Sequence, residues 1–305
     1  MEFLRRAANP WNQDVWIGIS WDLMWAAVIG GLAFLVLHAV IAWRTPKAES
    51  TAVAETGDPA IPDRILRHSA ASRAFHWLMS VTMFVLLITA FFPLVGIRFA
   101  WVTIHWIAGI GLILTIVYHV VYATMKQDLW SMWIGAKELK EGTQEVVGFL
   151  KRSPPATSSK PGKYPIDHKL YHNTTAVITL AAIATGVLMM VRVDTPFWAR
   201  NPYLLSDQMW GIVYVVHGLS GVALIATIMA HIYFAVRPEK WWITLSMING
   251  FIGKKEYLAH HDPKRWVVTP GPGARGGGAA PPKVTGGAAQ SPKAVPQDKQ
   301  SDRLT

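Results

Sequence analysis

Five long apolar segments that contain no Asp, Glu, Lys or Arg constrain this 305-residue chain more than any other feature of its sequence. Each is long enough to cross the hydrocarbon core of a bilayer, which takes about twenty residues in a helix. Helices also satisfy their own backbone hydrogen bonds, as lipid requires. The sequence therefore predicts an all-α integral membrane protein with five spans. The segments are Leu23–Trp43, Ala74–Ile97, Phe99–Met125, Leu170–Val191 and Gln208–Val236.

The basic residues are distributed unequally between the segments that join the spans. Segments 44–73, 126–169 and 237–305, which five spans would put on one side of the membrane, hold 24 of the 29 Lys and Arg residues. Cytoplasmic loops are enriched in these residues, so this side is predicted to be cytoplasmic and the N-terminus periplasmic. The net charge of +10 is then a matter of topology, and no nucleic acid is expected as a partner, because that would need a basic face.

The chain divides into three parts. Residues 1–63 hold the periplasmic N-terminus, the first transmembrane helix and a linker from Lys47 to Asp63. Residues 64–268 hold the other four spans as a four-helix core. Residues 269–305 consist of Gly, Pro, Ala and polar residues without periodicity, and we predict a disordered cytoplasmic tail there.

The chain contains no cysteine. This excludes disulfides, thiolate-bound zinc, iron–sulfur clusters and covalently attached c-type haem. Histidines are the remaining strong metal ligands, and ionisable residues inside a membrane are functional by default. Those inside the predicted spans include His38, His76, His105, His119, His217 and His231.

Two pairs of these histidines share one spacing. His105 and His119, like His217 and His231, are fourteen residues apart, so the members of a pair lie on one helix face about 21 Å apart. Such a helix offers one ligand to each of two stacked haems, and neutral imidazole binds haem iron without burying a charge. For His38, alone on the first span, we expect a hydrogen bond between helices instead.

The partner of His231 stays open at this point. Both His76, at the start of the second span, and His119, near the end of the third, have a suitable depth. The symmetry of the spacing favours His119.

Several motifs, in order, resemble the dihaem cytochrome b (gamma) subunit of membrane-bound formate dehydrogenases and related quinone-coupled oxidoreductases. The resemblance covers roughly residues 64–268, and it is carried by Arg73-Ala-Phe-His76-Trp77, His105 with Gly109, Lys163-Tyr164, Thr185-Gly186, His217 with His231, and the run from His260 to Trp266. It implies a dihaem four-helix core with two haem b groups.

The same resemblance implies the ligand assignment. His105 and His217 would bind the iron of the outer haem, and His76 and His231 that of the inner haem, which favours His76 over His119. The chain would then be an electron-transfer subunit in a bacterial inner membrane. An iron–sulfur subunit and a molybdenum or tungsten catalytic subunit on the periplasmic side would deliver electrons to it.

Quinone would be reduced near the cytoplasmic face. Pro165 stands where the family commonly has Asn at the quinone site, so nearby polar residues are the candidates: Tyr164, Asp167, His168, His172 and Asn173. A polar helix entrance with a cap at Asn173 explains them nearly as well.

Alternative functions are the cytochrome b subunit of a nickel–iron hydrogenase or of a sulfur-compound oxidoreductase. A haem-free membrane anchor or transporter belongs to a different class. Transporters usually have broken helices or inverted halves, and neither is evident in the sequence.

Overall fold

The computed structural model describes residues 3–44, 61–127, 129–150 and 160–268. Five helices in these ranges are long and apolar enough to cross a membrane, which confirms the predicted spans. The proposed tail 269–305 and most of the linker lie outside the described residues. The five helices are α1 Trp21–Arg44, α2 Ala70–Phe91 (continued by the 3-10 helix Pro93–Val95), α3 Trp101–Lys126, α5 Ile166–Met190 and α6 Asp207–Ala235.

Helices α2, α3, α5 and α6 form a bundle. A short turn, in which Gly96 takes a φ of 89°, joins α2 to α3, and these two helices pack against each other. Helix α5 likewise packs against α6. Further contacts join α3 to α5 and α2 to α6. The buried residues Met83, Leu112 and Leu224 meet at the centre, with Ile178 of α5 against them. Leu112 and Leu224 lie midway in sequence between the paired histidines of α3 and α6, so an apolar layer separates the two ends.

Helix α1 lies outside this bundle and packs on α6. A Cβ added to Gly31 would lie 3.3 Å from the Met229 side chain, which shows how closely the two helices approach. Nδ1 of His38 is 2.9 Å from the hydroxyl of Tyr233. The hydrogen bond between helices that we expected for His38 is therefore present.

A β-hairpin precedes α1. This hairpin was not predicted from the sequence. Strands β1 (Leu4–Ala8) and β2 (Asp14–Ile19) are antiparallel, and we call residues 4–19 the hairpin. In its turn, the Asn9 side-chain oxygen accepts hydrogen bonds from the backbone N–H groups of Trp11 and Gln13.

The hairpin packs along the first turns of α6. A Cβ added to Gly211 would lie 2.6 Å from the carbonyl oxygen of Trp16. The hairpin therefore needs glycine at this position. We call this end of the bundle the hairpin end.

The opposite end carries a small folded unit, residues 61–68 and 238–268, which we call the cap. Strand β3 (Arg64–Leu66) pairs antiparallel with β4 (Phe251–Gly253). The 3-10 helix Pro238–Lys240, α7 (Trp241–Asn249) and α8 (Lys254–His260) complete the unit. Its buried core consists of Ile65, Ile252, Tyr257 and Trp266.

Between α3 and α5 lie a 3-10 helix, Leu129–Met132, and helix α4, Ala136–Leu150. The ammonium group of Lys169 on α5 donates to the Glu138 carboxylate at 2.8 Å. This ion pair fastens α4 to the start of α5.

Candidate functional site

Two histidine pairs face each other across the bundle, one at each end. His105 of α3 and His217 of α6 have ring centres 6.2 Å apart at the hairpin end. His76 of α2 and His231 of α6 have ring centres 6.2 Å apart at the cap end. Helix α6 thus contributes one member to each pair.

A separation of 6.2 Å between ring centres is close to the one that two imidazoles bound to the same metal ion require. An imidazole nitrogen binds a transition metal at about 2 Å, so two imidazoles on opposite sides of one ion have ring centres roughly 6 Å apart. Among the residues that the structure describes, no group of three or more His, Cys, Asp or Glu is suited to hold a metal ion. The separation of ring centres within each main pair fits a metal ion shared by the two imidazoles, as in a haem held by two histidines.

A threonine hydroxyl sets the tautomer of His105. The Thr89 hydroxyl is buried and bonds the carbonyl oxygen of Val85 at 2.7 Å. A carbonyl only accepts, so the single hydroxyl proton points to it. The Thr89 oxygen, 2.8 Å from Nδ1 of His105, must then accept a hydrogen bond from Nδ1–H. The other ring nitrogen, Nε2, consequently carries the lone pair that binds a metal.

The same arrangement recurs at His217. The Thr185 hydroxyl donates to Ala181 O at 2.7 Å. Nδ1 of His217 lies 3.0 Å from the Thr185 hydroxyl oxygen and 3.1 Å from Ala182 O. Because the carbonyl cannot donate, His217 is also protonated at Nδ1. Iron-ligating histidines typically have such a partner behind the ring, which fixes the ring orientation. A Cβ at Gly186 would lie 3.3 Å from Cε1 of His217, so glycine leaves space for this ring.

The pair at the cap end is held differently. Nδ1 of His76 is buried and has no hydrogen-bond partner among the described residues. An unsatisfied buried nitrogen is costly, and a bound metal group would account for this cost. The Tyr171 ring stacks on His231, with ring centres 5.1 Å apart. The Trp77 indole nitrogen donates to Met247 O, which ties this part of α2 to the cap.

His119 belongs to a different pair. Its ring centre is 6.2 Å from that of His172 on α5, and the Phe75 ring stacks on it at 4.0 Å. The symmetry of the sequence spacing favoured His119 as the partner of His231. In the structure, the ring that faces His231 is that of His76.

The five quinone candidates do not form one cluster. Asp167 is exposed and forms an ion pair with Lys240 at 3.0 Å, and Asn173 donates to the carbonyls of Met132 and Lys169. His172 faces His119, with ring centres 6.2 Å apart.

Tyr164 and His168 are linked to the cap end, as is Asp167 through Lys240 of the cap and through its contact with His168. His168 interacts electrostatically with Arg67 and His231. Tyr164 interacts with Arg67, and the Lys163 ammonium lies 5.3 Å from the centre of its ring.

Sequence reasoning missed Thr89, Arg67 and His68. Thr89 gives no sequence signal, because threonines are common in membrane helices and only the packing of α2 on α3 brings it to His105. Arg67 and His68 lie in a segment that the sequence presents as an ordinary basic loop.

Comparison with known proteins gives two findings. The family described as prokaryotic cytochrome b561 matches residues 67–250, which include all four histidines of the two main pairs. The chain is also similar to the formate dehydrogenase cytochrome b556 subunit of Haemophilus influenzae. The two are 24% identical over 221 residues, which cover 67% of this chain and 82% of that protein. The family match begins after α1, so the hairpin and α1 lie outside it.

Proposed function

The chain belongs to the prokaryotic cytochrome b561 family, and we propose that it is the dihaem membrane subunit of a formate dehydrogenase type of complex that reduces quinone. The observation that carries this proposal is that α6 contributes one histidine to each of two facing pairs at opposite ends of one bundle, with 6.2 Å between ring centres in both. The His119–His172 pair has the same separation but no member on α6. A haem b held at each pair supplies a one-electron redox centre. His105 and His217 hold the first, and His76 and His231 hold the second.

The distribution of basic residues gives the proposed direction. Segments 44–73, 126–169 and 237–305, whose described parts include the cap, hold most of the Lys and Arg residues, so the cap faces the cytoplasm and the hairpin the periplasm. The chain accepts electrons at the hairpin end from an iron–sulfur subunit bound to a molybdenum or tungsten subunit, and it delivers them at the cap end. Similarity to a formate dehydrogenase subunit supports formate as the source of these electrons.

Quinone reduction takes place beside His76 and His231. The reaction takes two electrons and two protons, so the site needs groups that transfer protons. The imidazole of His168 and the hydroxyl of Tyr164 are such groups, and both interact with Arg67 at this end of the bundle. Asp167 and Asn173 serve instead to hold Lys240 and the segment around Met132.

Haem content of the purified chain tests the main proposal. We expect about two b haems per chain, all removed by acid–acetone because no cysteine attaches them. His217→Ala should remove the haem at the hairpin end, and His76→Ala or His231→Ala the other. His119→Ala, the matched control, should retain both. One haem per chain, or loss of haem in His119→Ala with retention in His76→Ala, would contradict the assignment.

Re-oxidation of the pre-reduced chain by a quinone analogue tests the quinone site. His168→Asn should slow this step roughly 100-fold, the usual contribution of a positioned proton donor, while both haems remain. Thr174→Ala, an exposed change on the same helix, should leave the rate unchanged. A wild-type rate in His168→Asn would place the quinone elsewhere.

A further inference from the structure

A buried arginine without a counter-charge lies in the cap. Arg67 is only 3% exposed. Its Nη1 lies 3.0 Å from Nε2 of His261, while its Nε is buried and has no hydrogen-bond partner among the described residues. The rings of Trp242 and Trp266 lie 5.5 and 5.7 Å from the guanidinium carbon. No carboxylate within the described ranges pairs with it.

The polar groups around Arg67 are basic as well. His68 interacts electrostatically with Arg67, Lys163, His76 and His168. Burial, followed by the positive charges of Arg67 and Lys163, lowers the pKa of His68 to about 2, so His68 is neutral and can bind an anion only as a hydrogen-bond donor. Nearby, the Nε of Arg73 is also buried without a partner in the part of the chain described. Arg67, Arg73 and Lys163 are therefore three positive charges that no carboxylate among the described residues pairs with.

Such an arrangement is costly in the chain alone. A buried cation loses its hydration, and only an anion with matching hydrogen bonds compensates for that loss. The two tryptophan rings compensate in part through cation–π interactions. The free Nε of Arg67 remains as a charged donor for an oxyanion, and guanidinium groups bind carboxylates especially well.

The cluster is connected to the histidine pair at the cap end. His68 interacts with His76, and His168 interacts with both Arg67 and His231. Arg67 and His68 also come directly before Ser69, the N-cap of the helix that carries His76. A group bound between His76 and His231 therefore lies within electrostatic reach of the cluster.

We propose that Arg67, His68 and Lys163 form a carboxylate subsite, and that the carboxylates it binds are the propionates of the haem held by His76 and His231. The inference rests on the proposed function, since it needs haem at this pair. A lipid phosphate offers similar oxyanion chemistry. Burial of Arg67 between Trp242 and Trp266 favours the propionates, because a lipid headgroup would need an open approach.

Redox titration of the full chain in nanodiscs tests the subsite. Loss of a cation next to the propionates should destabilise the reduced haem, which carries one more negative charge. In Arg67→Gln the reduced-to-oxidised ratio of the cap-end haem should fall about tenfold at a fixed potential, or ~59 mV, while the other haem is unchanged. Arg67→Lys should retain most of the wild-type potential. Arg64→Gln, an exposed change on β3 three residues before Arg67, is the matched control.

The source of the carboxylates is tested by reloading the stripped chain with the dimethyl ester of haem b, whose propionates carry no charge. The difference between wild type and Arg67→Gln should then disappear. A difference that persists with the ester would overturn the proposal, because the charge of Arg67 would then act on the haem without the propionates.

If Arg67→Gln does not fold, Lys163→Gln, at a half-buried position, should shift the same potential in the same direction. Unchanged potentials in every folded variant would also overturn the subsite. A wild-type chain without haem at the cap end would instead refute the proposed function.

Discussion

The chemistry of the hairpin-end site depends on where two hydroxyl protons point. Thr89 and Thr185 each donate the hydroxyl proton to a carbonyl oxygen one turn earlier in the same helix, at 2.7 Å in both cases. In an isolated helix this bond is a minor local feature. Here it leaves the hydroxyl oxygen only as an acceptor, so the facing imidazole is protonated at Nδ1 and presents Nε2 for ligation.

We predict that Thr89→Val and Thr185→Val weaken haem binding at the hairpin end by about tenfold or more, the usual effect of losing the group behind a ligating histidine. The remaining haem at that site should have a higher midpoint potential. The reason is that a hydrogen bond from Nδ1–H makes the ligand more basic and so stabilises the ferric form. Haem retention during purification and redox titration measure both effects.

Thr124→Val is the control for these variants. Its hydroxyl also bonds a carbonyl of its own helix, that of Val120, but it is exposed and has no contact with a histidine. Wild-type retention and potential in both Thr89→Val and Thr185→Val would mean that the threonines do not orient the ligands.

At the scale of elements, hydropathy was enough to predict the membrane helices. A long apolar segment that crosses lipid has only one common structure, the α-helix. Hydropathy did not predict the hairpin. Its strands have five and six residues, and an isolated two-stranded hairpin is at best marginally stable in water. Packing against α6 stabilises it, and that contact is not visible in the local sequence. The pairing of His231 with His76 similarly depends on the rotation and packing of whole helices.

We predict that Gly211→Ala detaches the hairpin from α6. The added methyl group would lie 2.6 Å from the Trp16 carbonyl oxygen, and backbone cannot move aside without displacing the strand. Overpacking of this kind costs about 1–3 kcal/mol. Thermal unfolding should begin at lower temperature, and protease should cut the turn near Trp11 faster.

Gly30→Ala on α1 is a suitable comparison, since an added Cβ there meets nothing within 4 Å. If Gly211→Ala and Gly30→Ala behave alike in both measurements, close packing of the hairpin is not what maintains its position.

At the scale of the whole molecule, the two ends differ in kind. The hairpin end presents a small β-structure outside the family match, whereas the cap end has its own hydrophobic core and a group of buried basic residues. That the cap end is cytoplasmic stays a prediction, made from the distribution of charge in the sequence alone. The cap was not predicted from the sequence, because strands β3 and β4 have only three residues each and are separated in sequence by most of the chain.

The absence of cysteine makes the orientation directly testable. Arg200→Cys lies in the loop between α5 and α6 and Lys264→Cys in the cap, and both positions are exposed. A membrane-impermeant maleimide should label Arg200→Cys in intact spheroplasts. It should label Lys264→Cys only after permeabilisation. The opposite result would invert the proposed direction of electron transfer.

Helix α6 supplies one histidine to each of the two main pairs, and it is the last of the five spans to leave the ribosome. His76 and His105 are therefore inserted into the membrane before either has its counterpart. Neither pair can close around a cofactor until the chain has been translated at least to His231. Maturation is thus expected to be a single late event, and a nascent chain arrested before α6 should contain no bis-histidine cytochrome.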